Sequence, residues 1–346
     1  MTEEEDAESA VKLAKLYYKG DGVEQSYSKA AELFKIAAEY GIADAQFYLG
    51  SMYMNGRGVE QSDERAAEWY TRAAELGQLM AQCTLGWMYK VGRGVEQSDE
   101  RAVELYSKAA RQGDADAQFY LGEMYMDGRG VEHSDERAAE WYREAAEQGQ
   151  ADAQYSIGTM YMEGRGVKKS DRKATEWFRE AAEQEDARAQ YSLGLMYELG
   201  RGVIHSDEDA AKWYRKAAKQ GDAEAQYSLG SMHAQGLGVR QSYKIAAEWF
   251  REAAEQGHAD AQYSLGSLYE AGKGVEQSDE SAAEWYREAA EQGQADAQYS
   301  LGSLYENGRG VKQSGKKAME WYRKAARQGN KHAKNALKNF GQIYSI

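Results

Sequence analysis

Few residues in this chain could do chemistry, and their spacing limits what that chemistry would be. The five histidines, His133, His205, His233, His258 and His332, lie far apart and lack the short, defined ligand spacing of a metal site. Cys83 is the single cysteine, and no His or basic activator accompanies it, so an inert thiol is expected rather than a nucleophile. Gly-x-Gly turns recur, and glycine turns can cradle phosphate. The dinucleotide motif also requires a preceding strand and a third Gly. Gln, His or Lys stands where that Gly would fall, as in Gln277, His133 and Lys169. Among 57 Asp and Glu, no acid–base pair or triad rises above chance. The expectation is no catalytic residue, no metal and no cofactor, so the chain is read as not an enzyme. Any function must then rest on recognition.

The elements that would position a recognition surface are set by a repeat. The Gly of a Leu-Gly or Ile-Gly pair falls at Gly50, Gly86, Gly122, Gly158, Gly194, Gly230, Gly266 and Gly302, with Ala14 in that place in the first copy. A turn glycine keeps the same step from Gly20 and Gly56 through to Gly272 and Gly308. The step is 36 residues, held nine times without insertion or deletion. A fixed period of about 20–50 residues marks a solenoid, in which each unit buries its apolar face only against its neighbours. A length of 346 residues would otherwise suggest two or three globular domains. The unbroken period implies one elongated domain.

The eighth copy, 261–296, is the cleanest. Ala261, Leu265, Leu268 and Tyr269 recur at i, i+4, i+7 and i+8, one face of a helix. Gly272 follows as a left-handed cap, Gly274 allows a second positive φ, and Val275 is expected to tuck under the turn. Ser278 is a good N-cap for a second helix, with Asp279 and Glu280 favourably placed in its first turn. The apolar face of that helix is Ala282, Trp285, Tyr286, Ala289 and Ala290, and Gly293 closes it. A Gly within a helix costs about 1 kcal/mol relative to Ala. The recurrence of Gly266 and its equivalents therefore implies that something packs against the backbone there. The expected architecture is all-α: helix-turn-helix units stacked into an α/α superhelical solenoid.

These residues resemble the Sel-one-like repeat, a relative of the tetratricopeptide repeat. Leu265-Gly266 and Tyr269 match the Leu-Gly-x-x-Tyr of the first helix. Ala282, Tyr286 and Ala289 match the spaced small and aromatic positions of the second. The longer Gly272-Lys273-Gly274-Val275 turn and the run from Trp285 to Ala290 point to the Sel-one-like branch. The likeness spans nearly the whole chain: one solenoid domain over 1–346, with repeats over about 7–330 and a capping helix over about 331–340. The resemblance implies an adaptor or scaffold that holds protein partners, with activities of the cysteine-rich secreted subgroup not transferable.

Mapped from the tetratricopeptide relatives, the concave groove should be lined by first-helix positions 36, 3, 7, 10 and 11, counting Ala261 as 1. Position 3 forms an aromatic ladder: Phe47, Phe119, Tyr155, Tyr191, Tyr227, Tyr263 and Tyr299, with Cys83 interrupting it. Met54, Met126, Met162 and Trp87 make the N-terminal half apolar and adaptable. Ser231, Ser267 and Ser303 beside Glu270 and Glu306 make the C-terminal half polar and acidic. The expected ligand is a peptide or protein segment gripped by aromatic contact. The alternative is a designed or idealised framework with no natural ligand, to which the complete absence of proline lends weight.

The net charge of −14 favours neutral or basic partners and argues against nucleic acid. The start Met-Thr-Glu-Glu-Glu-Asp has neither the basic nor the apolar region of a signal peptide. No apolar run approaches the roughly 18 residues of a membrane span. A cytoplasmic protein without membrane contact is expected. Against the acidic body stands a basic cluster from Lys312 to Lys338, open to an acidic partner or to end-to-end self-association.

Overall fold

Each copy contributes two helices for reasons visible in its own residues. The computed structural model describes residues 3–343, where there are nineteen α-helices and no strand. They are α1 (Glu3–Lys19), α2 (Tyr27–Glu39), α3 (Ala43–Asn55), α4 (Asp63–Glu75), α5 (Leu79–Val91), α6 (Asp99–Arg111), α7 (Ala115–Asp127), α8 (Asp135–Glu147) and α9 (Ala151–Glu163). There follow α10 (Asp171–Glu183), α11 (Ala187–Leu199), α12 (Asp207–Lys219), α13 (Ala223–Gln235), α14 (Tyr243–Glu255), α15 (Ala259–Ala271), α16 (Asp279–Glu291), α17 (Ala295–Asn307), α18 (Gly315–Arg327) and α19 (Lys331–Ile343). Odd-numbered helices are the first (A) and even-numbered the second (B) of each hairpin. The chain is an all-α solenoid of nine repeats with a closing helix. It divides into two compact units, Met1–Ser170 and Asp171–Ile346. In each, a B helix lies against the A helix of its own hairpin and against the next A helix.

Capping starts and stops the helices as the residue types require. Ser278 Oγ accepts the Ser281 N–H at 3.0 Å, satisfying one of the free donors of α16. Gly272 closes α15 in the left-handed conformation, φ 62°. The alanines of α16 and the Tyr286 ring are buried in one core with Ala297, Leu301 and Leu304 of α17, while Ala261, Leu265 and Leu268 of α15 share a core with Phe250 and the alanines of α14. Trp285 is only half-buried and packs on the core shared by α14 and α15, as does Val275.

Two glycines have packing reasons. A Cβ at Gly266 would stand 2.8 Å from Cδ1 of Tyr286 and 3.3 Å from the Ala282 carbonyl oxygen. The B-helix ring therefore lies flat on the A-helix backbone, the contact implied by the recurrence. Gly274 has φ 72°, and a Cβ there would fall 2.2 Å from the carbonyl carbon of Tyr243, the first residue of α14. The turn of one hairpin is pressed onto the start of the preceding B helix, so conformational freedom is only half of its reason.

Polar side chains lock successive hairpins in register. Gln262 is buried, donates to the Ala254 carbonyl of α14 at 3.1 Å and accepts from Gln292 at 2.7 Å. One amide thus ties three helices and satisfies two carbonyls that would otherwise be lost. Arg309 grips both oxygens of Asp279, with Nη2 at 2.7 Å and Nε at 3.1 Å. Arg129–Asp99, Arg165–Asp135 and Arg201–Asp171 repeat that two-point grip. Arg93 reaches Asp63 at 2.9 Å. Each pair is worth at most about 1 kcal/mol, but the fork geometry fixes where one hairpin meets the next.

Two copies break these rules. Glu185 stands at φ 68° where the other copies use Gly. Leu76 replaces the Gln that should meet Gln46, leaving Gln46 Oε1 buried without a protein partner. At the C-terminal end, α19 closes the last hairpin with Ala333 buried and Ala336 and Leu337 against the core.

Candidate peptide-binding face

The A helices carry the expected ladder. Phe47, Phe119, Tyr155, Tyr191, Tyr227, Tyr263 and Tyr299 are all half-buried. Six of them rest on the buried ring of their own B helix. Tyr191–Tyr214, Tyr263–Tyr286 and Tyr299–Tyr322 have centroids 5.6 Å apart, as does Phe119–Tyr142; Phe47–Tyr70 is 5.7 Å and Tyr227–Phe250 5.8 Å. Each rung is thus two rings deep, the inner locked in the core and the outer open on one side. Tyr227 is also stacked on His258 of the next hairpin, 4.8 Å away. Each outer ring is thus half covered by its neighbours and half exposed.

Met54, Met126, Met162 and Trp87 are likewise half-buried. Met126 is partly covered, because Arg165 Nη2 lies 3.1 Å from its sulfur. Trp87 packs on two successive cores. Charges on this face pair with one another. Lys90 meets Glu123 at 2.8 Å and lies over the Tyr120 ring; Lys15 meets Asp44 at 3.0 Å.

The acids of the C-terminal half are tied to the core. The Tyr286 hydroxyl donates to Glu270 at 2.8 Å, Tyr322 donates to Glu306 at 2.6 Å, and Tyr214 donates to Glu198. Glu270 also receives Arg309 Nη1 at 3.0 Å. The sequence contained the clue: a Glu precedes a core Tyr by 16 residues in each pair. Where the core ring is Phe250, that position is Ala234. For Tyr106 that position is Lys90, and the buried Tyr106 hydroxyl has no protein partner.

Burial, first of all, raises the hydroxyl pKa of Tyr191, and Glu224 and Asp222 add to it; Tyr263 is raised by burial and by Asp296. These outer tyrosines stay neutral well above physiological pH and act as hydrogen-bonding, π-faced contacts. Burial also pushes the Cys83 thiol up to about 12, with Asp114 and Asp116 adding to it. A thiol so held is not a nucleophile near neutrality. His233 is buried, with Nδ1 3.3 Å from the Arg240 carbonyl oxygen. Among the described residues no group of three or more His, Cys, Asp or Glu could hold a metal ion.

A family model described as Sel1 repeat matches nine consecutive segments, 7–41, 43–78, 79–114, 115–150, 151–186, 187–222, 223–258, 259–294 and 295–330. The chain belongs to the Sel1 repeat family. A protective antigen of uropathogenic Escherichia coli strains with this fold is 34% identical over 98% of this chain and 79% of its own, with a TM-score of 0.78. A Sel1 repeat protein from Oxalobacter formigenes is 34% identical, covering 94% of this chain and 93% of that one, with a TM-score of 0.68. A signal-transduction ATPase with a tetratricopeptide repeat sensor from Pyrococcus horikoshii shares the fold at 14% identity and a TM-score of 0.54. No curated protein matches the chain.

The Sel1 repeats also carry clefts between consecutive B helices, which the sequence reading did not anticipate. One of about 590 Å³ lies between α16 and α18, one of 510 Å³ between α14 and α16, and one of 190 Å³ between α4 and α6. Each has the half-buried residue of the Trp285 position in its wall: Trp321, Trp285 and Leu105 respectively. No described helix is long and apolar enough to cross a membrane.

Proposed function

We propose that this chain is a non-catalytic scaffold or adaptor that takes a peptide or protein segment along its A-helix face. Sel1 repeat proteins mediate protein–protein interaction. The observation that carries the reading to this face is the two-deep aromatic ladder. Outer rings at one fixed step are held rigid by inner rings, so little conformational entropy is lost when a partner covers them. Met54, Met126 and Met162 add adaptable contacts at the N-terminal end. The carboxylates of Glu198 and Glu306 are held by neutral tyrosine hydroxyls and keep their charge, while Glu270 is also paired with Arg309, so a neutral or basic segment fits best. A cytoplasmic setting agrees with the lone unpaired cysteine.

The test is selection of a displayed peptide library on the immobilised chain and on a Tyr191→Ala, Tyr227→Ala, Tyr263→Ala variant of unchanged helicity. A recurring motif lost on the variant supports the reading. No enrichment on the parent favours a framework without a peptide ligand, and enrichment unaffected by the variant moves the site off the ladder.

A further inference from the structure

The last hairpin reverses the charge of the face between B helices. In the cleft between α14 and α16 the walls carry Glu255, Glu284 and Glu288 against a single Arg287. In the next cleft, between α16 and α18, Lys324 stands where Glu288 stood and Arg327 where Glu291 stood. Arg287, Lys317, Arg323, Lys324 and Arg327 line it, with Glu291 and Glu320 as the only acids. The chain as a whole carries −14, so this is a local reversal rather than a general basic character.

These cations are also unspent. Arg309 and Arg129, by contrast, are committed: Arg309 holds Asp279 and Glu270, and Arg129 holds Asp99. None of the five cleft cations has an ion-pair partner among the described residues. Lys324 lies 3.8 Å above the Trp321 ring and Lys317 5.0 Å from the Tyr305 ring. Both ammonium groups are thereby steered over apolar floor and left open above. Along α18, Arg323 and Arg327 are about 6 Å apart, the span of about two residues of an extended peptide.

We propose that the cleft between α16 and α18 is a second interaction site that binds an acidic protein segment with carboxylates at alternate positions. Its partner is opposite in charge to that of the A-helix face, so the two ends of a bridged assembly would not compete. Glu291 and Glu320 interrupt the cationic track and disfavour a continuous polyphosphate, so the occupant is a peptide and not a nucleic acid.

The experiment uses the full chain and a fluorescein-labelled peptide of alternating Glu and Ser, read by anisotropy at about 0.05 M salt, where surface charges are weakly screened. The variant is Lys324→Glu with Arg327→Glu, which restores the residues that the preceding repeat carries in the same places and so keeps the fold. Binding should weaken by about tenfold or more, as loss of close charge pairs does. It should also weaken with added salt and survive the A-face tyrosine substitutions. Undiminished binding by the variant overturns the proposal, as does failure of the parent to bind. Tighter binding of a single-stranded oligonucleotide than of the peptide would overturn the choice of partner.

Discussion

Replacing Gly266 by Ala tests how the hairpin is closed. By helix propensity alone the change should stabilise α15 by about 1 kcal/mol. The structure reverses the sign. The new methyl carbon would sit 2.8 Å from one ring carbon of Tyr286 and 2.9 Å from the next. Comfortable carbon–carbon separation is about 3.5–4.0 Å, so the ring must retreat by about 0.7 Å or more. It has little room to do so, because it is 2% exposed and its hydroxyl is bound to Glu270 at 2.8 Å. Overpacking costs about 1–3 kcal/mol, and disturbing a hydrogen bond to a charged group about 1.5–3 kcal/mol. Less the propensity gain, the net loss is about 1.5–5 kcal/mol. Urea denaturation followed by helical ellipticity should show a lower midpoint. In a Tyr286→Ala background the methyl meets no ring, and the loss should vanish. A midpoint at or above that of the parent in the single variant would refute the packing argument.

Leu76→Gln gives Gln46 Oε1 its missing donor and should raise stability by about 0.5–1.5 kcal/mol, read from the thermal midpoint. Glu185→Gly removes a side chain from φ 68° and should add about 1–2 kcal/mol by the same assay. Burial holds the hydroxyls of Tyr70, Tyr106, Tyr142, Tyr214, Tyr286 and Tyr322 above their ordinary value of 10.0, Tyr70 at about 12. The folded chain keeps these protons that the unfolded chain gives up, so their contribution is complete below pH 10 and falls as pH rises through each folded value. Tyrosinate absorbance should therefore leave these six silent at pH 10 to 11 and report them only as helix content falls. Their ionisation at pH 10 with the helices intact would contradict the burial.

Most of the frame was legible because each repeat carries its own signals. Ser278 and Gly272 mark helix ends, and the recurrence of Gly266 marked a close approach. What lay outside reach was pairing across the repeat boundary. Nothing in a single copy says that Arg309 reaches back to Asp279, that Gln262 ties three helices, or that Gly274 is pressed against Tyr243. Such partners stand about thirty residues apart and become neighbours only when hairpins stack. On the candidate face the ladder was visible as a period, but its depth was not. The packing of Tyr263 on Tyr286, and the capture of Glu270 by the same tyrosine's hydroxyl, join helices whose facing could not be read from one-dimensional spacing. The clefts between B helices were missed because a half-exposed Trp285 reads as core in an amphipathic pattern.

The central claim is that the A-helix ladder is the surface a partner covers. The most direct measurement is photocrosslinking of a library-selected peptide, carrying a photoreactive residue, followed by mapping of the adducts by mass spectrometry. The expected adducts fall on α11, α13 and α15, at or beside Tyr191, Tyr227 and Tyr263. Adducts confined to α12, α14 and α16, around Trp213, Trp249 and Trp285, would contradict it.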